Sequence, residues 1–198
     1  MAPTRKSERG DTASQILDVA EGLVQVRGFN GFSYADVAGV LEVTPASLHF
    51  HFPSKAELGE ALVARYAERF SAALATVDEG MAPAPAKLEA YAALYAGVLR
   101  EHRMCLCGML AAEYQTLPEA MQDAVLRFFD ENESWLVNVL EQGRNEGTLE
   151  FAGSAAEAAR MVISGLEGAM LVARPYGDVA RFEAAAHGLL AGLRAGGE

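Results

Sequence analysis

The sequence is short of cysteine, of positive charge and of strand-like patterning, and each shortage removes a class of protein. Two cysteines among 198 residues, Cys105 and Cys107, cannot build a disulfide framework and suit a reducing compartment. Strict alternation of apolar and polar residues is nearly absent, which removes half-buried strands as the main element. The most apolar stretch, 161–173, is interrupted by Ser164 and Glu167 and stops at Arg174, too short and too polar to span a bilayer. Residues 1–14 carry no apolar run of the signal-peptide kind, so a soluble cytoplasmic protein with no membrane partner is expected. Basic residues are outnumbered, 16 Lys and Arg against 27 Asp and Glu, for a net charge of −11. That balance alone argues against a partner as negative as nucleic acid. Its distribution softens the objection: residues 1–69 hold seven basic against nine acidic groups, and the rest hold nine against eighteen. Arg5, Lys6 and Arg9 gather at the start, and counterions are released only where a cation meets phosphate, so a local basic footprint suffices.

What is present is helix. Ile16, Val19, Ala20, Leu23 and Val24, and again Leu58, Ala61, Leu62, Arg65 and Tyr66, recur at three- and four-residue spacing. Ser54/Glu57, Thr116/Glu119 and Ser154/Glu157 have the spacing of capping boxes, with Ser33/Asp36 a weaker version. Thr44 precedes Pro45 as a cap precedes a first helical residue, and Gly28, Gly147 and Gly177 mark helix ends. An all-α fold follows, with helices expected near 11–28, 34–41, 45–51, 54–78, 86–102, 104–115, 118–146, 155–173 and 178–194. The Pro-Ala stretch after Met81 is the natural break between an N-terminal unit and a larger bundle. The expected organisation is a flexible arm over 1–10, a three-helix helix-turn-helix domain over 11–58, a connecting helix over 59–80, and a ligand-binding and dimerisation bundle over 81–198.

Between Ser33 and Phe52 lie two short helices joined by a tight connection around Glu42. Ala35, Val37, Ala38, Val40 and Leu41 on the first, with Val43, Leu48 and Phe52, supply a small core. The second helix then leaves Pro45, Ala46, Ser47, His49 and Phe50 to meet a partner, which suits the major groove of DNA. Here a resemblance becomes specific. Ile16-Leu-Asp-Val-Ala20, Gly28-Phe29, Phe32-Ser-Tyr-Ala-Asp-Val-Ala38 and the unbroken run from Val43 through Leu58, with its His-Phe-Pro-Ser-Lys core, resemble the DNA-binding domain of the TetR/AcrR regulators. The resemblance implies roles by position. Ser33 would contact the DNA backbone through its hydroxyl and Lys55 as a phosphate-directed cation. Thr44, Pro45, Ala46 and Ser47 match the groove-facing start of the recognition helix. His49 stands where the family usually has a phosphate-contacting tyrosine. His49 and His51 diverge on a helix, and no cysteine or carboxylate completes a metal set, so neither metal nor cofactor is expected.

Cys105-Leu-Cys-Gly-Met-Leu-Ala-Ala-Glu113, with Trp135 and the turn Glu146-Gly-Thr-Leu149, is more faintly similar to the C-terminal domains of a branch that answers electrophiles or oxidants through a cysteine at the position of Cys105. Arg103 and His102 beside that residue, and a helix start, would favour its thiolate. Tyr91 and Tyr95 share a helix face, and Met109, Trp135 and Met161 add adaptable apolar surface. Glu113 and Glu167, set among apolar neighbours, are the candidates for orienting a ligand. The ligand set is therefore Tyr91, Tyr95, Cys105, Met109, Glu113, Trp135 and Glu167, although the same residues would also fill an ordinary core. Apolar helices over 155–173 and 178–194 point to a homodimer with two reading heads on a palindromic operator. The expected function is transcriptional repression of double-stranded DNA, relieved by a small-molecule inducer or by modification of Cys105. No catalytic arrangement is visible, and a helical thiol-redox protein without DNA binding is the alternative.

Overall fold

The computed structural model describes residues 5–195, with side chains from Thr12 onward. Its helices are α1 (Arg5–Arg27), α2 (Tyr34–Leu41), α3 (Pro45–His51), α4 (Lys55–Glu79), α5 (Ala84–Arg100), α6 (Leu106–Ala112), α7 (Glu119–Asn145), α8 (Ala155–Ala173) and α9 (Val179–Ala191), with 3₁₀ turns at Tyr114–Thr116 and Arg174–Tyr176. Among the described residues extended pairing is confined to one antiparallel bridge, Leu149 to Arg194, which ties the end of α7 to the end of α9. No helix among them is long and apolar enough to cross a membrane. Of the arm expected over 1–10, residues 1–4 and the side chains of Arg5, Lys6 and Arg9 lie outside the described residues.

The chain forms two compact units, and their boundary is not the one the Pro-Ala break suggests. The first takes the described residues through Ala67 together with Leu106–Val125; the second takes Glu68–Cys105 and the described residues from Leu126 on. The reason is apolar. Leu106, Cys107 and Leu110 of α6, then Leu117, Met121 and Val125, are all buried, as are Ile16, Ala20 and Val24 along one face of α1. Gly59 on α4 lets the start of α7 approach closely: a methyl there would collide with the Met121 sulfur and press on Phe29. Arg65 of α4 ties α1 down, pairing with Asp18 at 2.8 Å and with the buried Glu21 at 3.1 Å.

In the second unit α8 and α9 pack on α5, burying Val162, Leu166, Met170, Phe182 and Leu190 with Leu88, Ala92 and Ala96.

Local signals mostly translate into local structure. Ser33/Asp36 and Ser154/Glu157 close full capping boxes, and at the start of α4 the Ser54 hydroxyl accepts from Glu57 N and donates to the Glu57 carboxylate. Thr116 does not cap α7; its hydroxyl donates to Glu113 O at 2.8 Å and accepts from Asn30 Nδ2 at 2.7 Å. The helix expected over 104–115 is shorter for the same reason, since the chain turns after Ala112 to deliver Glu113. Thr44 caps α3 by backbone conformation without a side-chain bond. The small core between α2 and α3 is also thinner than expected: Leu48 is fully buried and Phe52 half-buried, but Val40 is 62% and Val43 39% exposed.

The α2–α3 turn places Glu42 at φ 55°, in the left-handed region that costs a side-chain-bearing residue about 1–2 kcal/mol. We expect Glu42→Gly to stabilise the protein by about 0.5–1 kcal/mol in urea denaturation, after the added freedom of the unfolded chain is counted. Glu42→Val should destabilise it by about 1–2 kcal/mol, because a β-branched residue tolerates this region least.

Candidate nucleic-acid interface and buried polar cluster

The first unit presents α3. Thr44, Pro45, Ala46 and His49 are exposed, Ser47 is half-buried, and Phe50 is 63% exposed, while Leu48 anchors the helix. No acidic residue lies within α3, so nothing on it repels an anion. His49 is held from two sides: its ring packs against Tyr34 with centroids 4.6 Å apart, and Nδ1 lies 3.1 Å from Pro53 O. Tyr34 in turn donates to Phe52 O at 2.7 Å, and burial followed by the charge of Glu57 pushes its phenol up to about 12. The aromatic Phe50 lies edge-on to His51 at 5.4 Å.

Two residues expected to reach the DNA backbone are committed elsewhere. The Ser33 hydroxyl donates to Asp36 Oδ2 at 2.6 Å, and these bonds hold the Asp36 carboxyl below its ordinary range. Lys55 is not a solvent-directed cation. Its Nζ donates to Phe29 O and Phe32 O, both at 2.5 Å, and sits 4.6 and 4.3 Å from the centres of the Phe29 and Phe32 rings. Partial burial lowers its pKa, opposed by the charges of Glu113 and Asp36. Glu113 meets the same segment from the other side, accepting from Phe29 N at 2.5 Å and Asn30 N at 3.3 Å. Gly28 stands at φ 82°, and a methyl there would strike the Glu113 carboxylate. Glu113 is thus a backbone clamp of the first unit, not a ligand-orienting acid. Met109 belongs to that unit as well.

The remaining ligand candidates do come together, within the second unit. Tyr91 donates to Asn132 Oδ1 at 3.2 Å, which leaves its oxygen to accept from the Tyr95 hydroxyl at 3.0 Å; Asn132 Nδ2 donates to Phe128 O at 2.7 Å. Trp135 stacks on Tyr91 at 5.6 Å and donates to Asp78 Oδ2 at 2.9 Å, while Phe70 meets Tyr91, Tyr95 and Phe128 edge-on. Burial raises both tyrosine pKa values, and the charges of Cys105 and Glu167 act on each phenol in the same sense. The Cys105 thiol hydrogen-bonds the Glu167 carboxyl, whose Oε1 is enclosed without a hydrogen-bond partner. Burial pushes Glu167 up to about 7, and the bond from Cys105 only partly opposes this.

This corrects the thiolate reading of Cys105. The residue is 1% exposed, its partner is a carboxyl, and Arg103 is paired with Glu101 at 3.4 Å. Met161 is 47% exposed and stands apart from a buried cluster. Asn132 and Phe70 are members that sequence reasoning missed. An Asn on an otherwise amphipathic α7 carries no local mark of burial, and only its 3% exposure discloses it.

Comparison with known proteins finds similarity over both the N-terminal and the C-terminal part of the chain. Residues 16–62 match the family model described as bacterial regulatory proteins, tetR family, and residues 84–189 match a tetracyclin repressor-like C-terminal domain. The HTH-type transcriptional repressor NemR of Escherichia coli K12 is 27% identical over 173 residues, spanning 85% of this chain and 87% of NemR. A TetR-family regulator from Agrobacterium tumefaciens superposes with a TM-score of 0.91 at 35% identity, covering 94% of this chain and all of that one. The reduced form of E. coli NemR superposes with a TM-score of 0.81 at 25% identity, covering 95% and 100%.

Two outcomes follow. Lys55→Met removes both carbonyl bonds and should lower stability by about 2 kcal/mol in urea, while the salt slope of duplex-DNA binding stays at the wild-type value. A slope reduced by about one ion would restore Lys55 to the phosphate. For Glu167, a raised carboxyl pKa means the native state keeps a proton that the unfolded state releases. Its burial therefore costs nothing below about pH 4 and progressively more as pH rises through about 7. Glu167→Gln should match the wild type near pH 4 and exceed it by about 2–3 kcal/mol near pH 8 in pH-resolved thermal melts.

Proposed function

The chain belongs to the TetR family of bacterial regulatory proteins, and on that premise we propose that it is a cytoplasmic, dimeric repressor released from a palindromic operator by a small-molecule inducer or by modification of Cys105. Binding of DNA through the helix-turn-helix and regulation of transcription follow from family membership. The observation that carries the reading is α3 itself. A seven-residue helix with one fully buried side chain leaves Thr44, Pro45, Ala46, Ser47, His49 and Phe50 for a groove. With few donors on this face, thymine methyls, the Ser47 hydroxyl and DNA shape carry much of the readout.

Two heads are needed for affinity, and the second unit offers a surface to pair them. Met161, Leu171 and Val172 of α8 are exposed, as are Ala184, Gly188 and Ala191 of α9. Exposed apolar and small residues on these two packed helices suit an interface. The buried cluster of Tyr91, Tyr95, Asn132, Glu167 and Cys105 is the proposed input. The unpartnered Glu167 oxygen favours a ligand with a hydrogen-bond donor, and the Cys105 thiol a soft electrophile. That a reduced form is distinguished for NemR supports the second input. Either ligand acts by preferring one arrangement of the bundle.

The test is selection of duplexes from random-sequence DNA, followed by binding with and without N-ethylmaleimide. We expect a palindromic consensus and loss of at least about tenfold in affinity on alkylation. Cys105→Ser should bind equally well and lose that response. A response that persists in Cys105→Ser would remove Cys105 as the input, and absence of any selected consensus would remove the repressor reading.

A further inference from the structure

The α3–α4 corner dictates how His49 can meet an anion. Nδ1 is 3.1 Å from Pro53 O. A carbonyl oxygen offers lone pairs and no proton, so Nδ1 is the protonated nitrogen. A neutral imidazole has a single N–H, and here it is spent on Pro53. Nε2 then carries a lone pair, which a phosphodiester oxygen repels. Only the imidazolium has a second N–H to donate, and it adds the charge that makes such a bond strong.

We propose that His49 holds DNA phosphate as the imidazolium alone, so that each reading head takes up a proton when it seats on DNA. The proposal rests on the reading that α3 faces DNA. The titratable groups facing His49 are consistent with it. Tyr34 from α2 lies against the ring, with its hydroxyl occupied by Phe52 O, and its raised pKa keeps it neutral at physiological pH. Glu57 at the start of α4 acts on that tyrosine, and His51, two residues along α3, has its ring edge-on to Phe50. The approaching phosphate itself favours the charged ring. A tyrosine at this position would donate at any physiological pH, whereas histidine makes the contact conditional on proton supply.

The experiment is fluorescence anisotropy of the full chain on a labelled duplex enriched from a random-sequence pool, between about pH 5 and pH 8, where imidazole titrates. Wild-type affinity is expected to rise about tenfold per engaged head from the alkaline to the acid end. The slope against log salt should steepen by about 0.9 per head over the same range. His49→Gln, whose amide donates at any pH, should bind with a flat profile, and His49→Arg should bind tightly with a flat profile. His51→Gln should retain the wild-type profile. A flat wild-type profile, or a pH dependence that survives in His49→Gln or His49→Arg, overturns the proposal and leaves DNA binding standing. Failure to bind duplex at any pH overturns both.

Discussion

The surface that α3 presents depends on a few backbone atoms between α1 and α2, gripped by opposite charges. Gly28 turns the chain left-handed and leaves the Phe29 and Asn30 amides outside any helix; the Glu113 carboxylate receives them. The carbonyls of Phe29 and Phe32 face the other way and receive the Lys55 ammonium between two aromatic rings. Backbone groups outside a helix need partners, and here charged side chains answer them. With that segment fixed, Ser33 follows directly as the cap of α2, Tyr34 reaches Phe52 O, and His49 lies on Tyr34. The orientation of α3 is thus inherited, bond by bond, from the loop between α1 and α2.

How far this was legible in the sequence depends on the range of the interaction. The helix-turn-helix and the family were readable because they reside in contiguous residues: 16–20, 32–38 and 43–58 hold the caps, turn and anchoring Leu48. The exposure of Pro45, Ala46, His49 and Phe50 followed from a helix too short to bury two faces. For Lys55 and Glu113 the residue type is legible in the sequence and the partner is not, since that partner lies many residues away. Glu113 finds Phe29 across 84 positions and Lys55 finds Phe29 across 26. Thr116 fails as a cap for the same reason, its hydroxyl being claimed by Asn30 and Glu113 O.

The second unit shows the same division. Tyr91 and Tyr95 announce themselves by four-residue spacing, and their hydroxyls do meet. Asn132 and Phe70, on different helices, complete the cluster without any mark in their own segments. The Cys105 environment was inferred from Arg103 and His102, its neighbours in sequence, but folding gives it a neighbour in space, Glu167, of the opposite character. Local charge is a poor guide to a side chain that ends up inside.

That enclosure has a kinetic meaning. A thiol 1% exposed meets a reagent only during excursions that part the helices over it. Once reagent is abundant enough to capture every excursion, adding more no longer speeds the reaction, and the rate becomes the frequency with which the bundle opens. Under the proposed thiol input, the protein would measure dose only when dose is low; above that it would keep time by its own breathing.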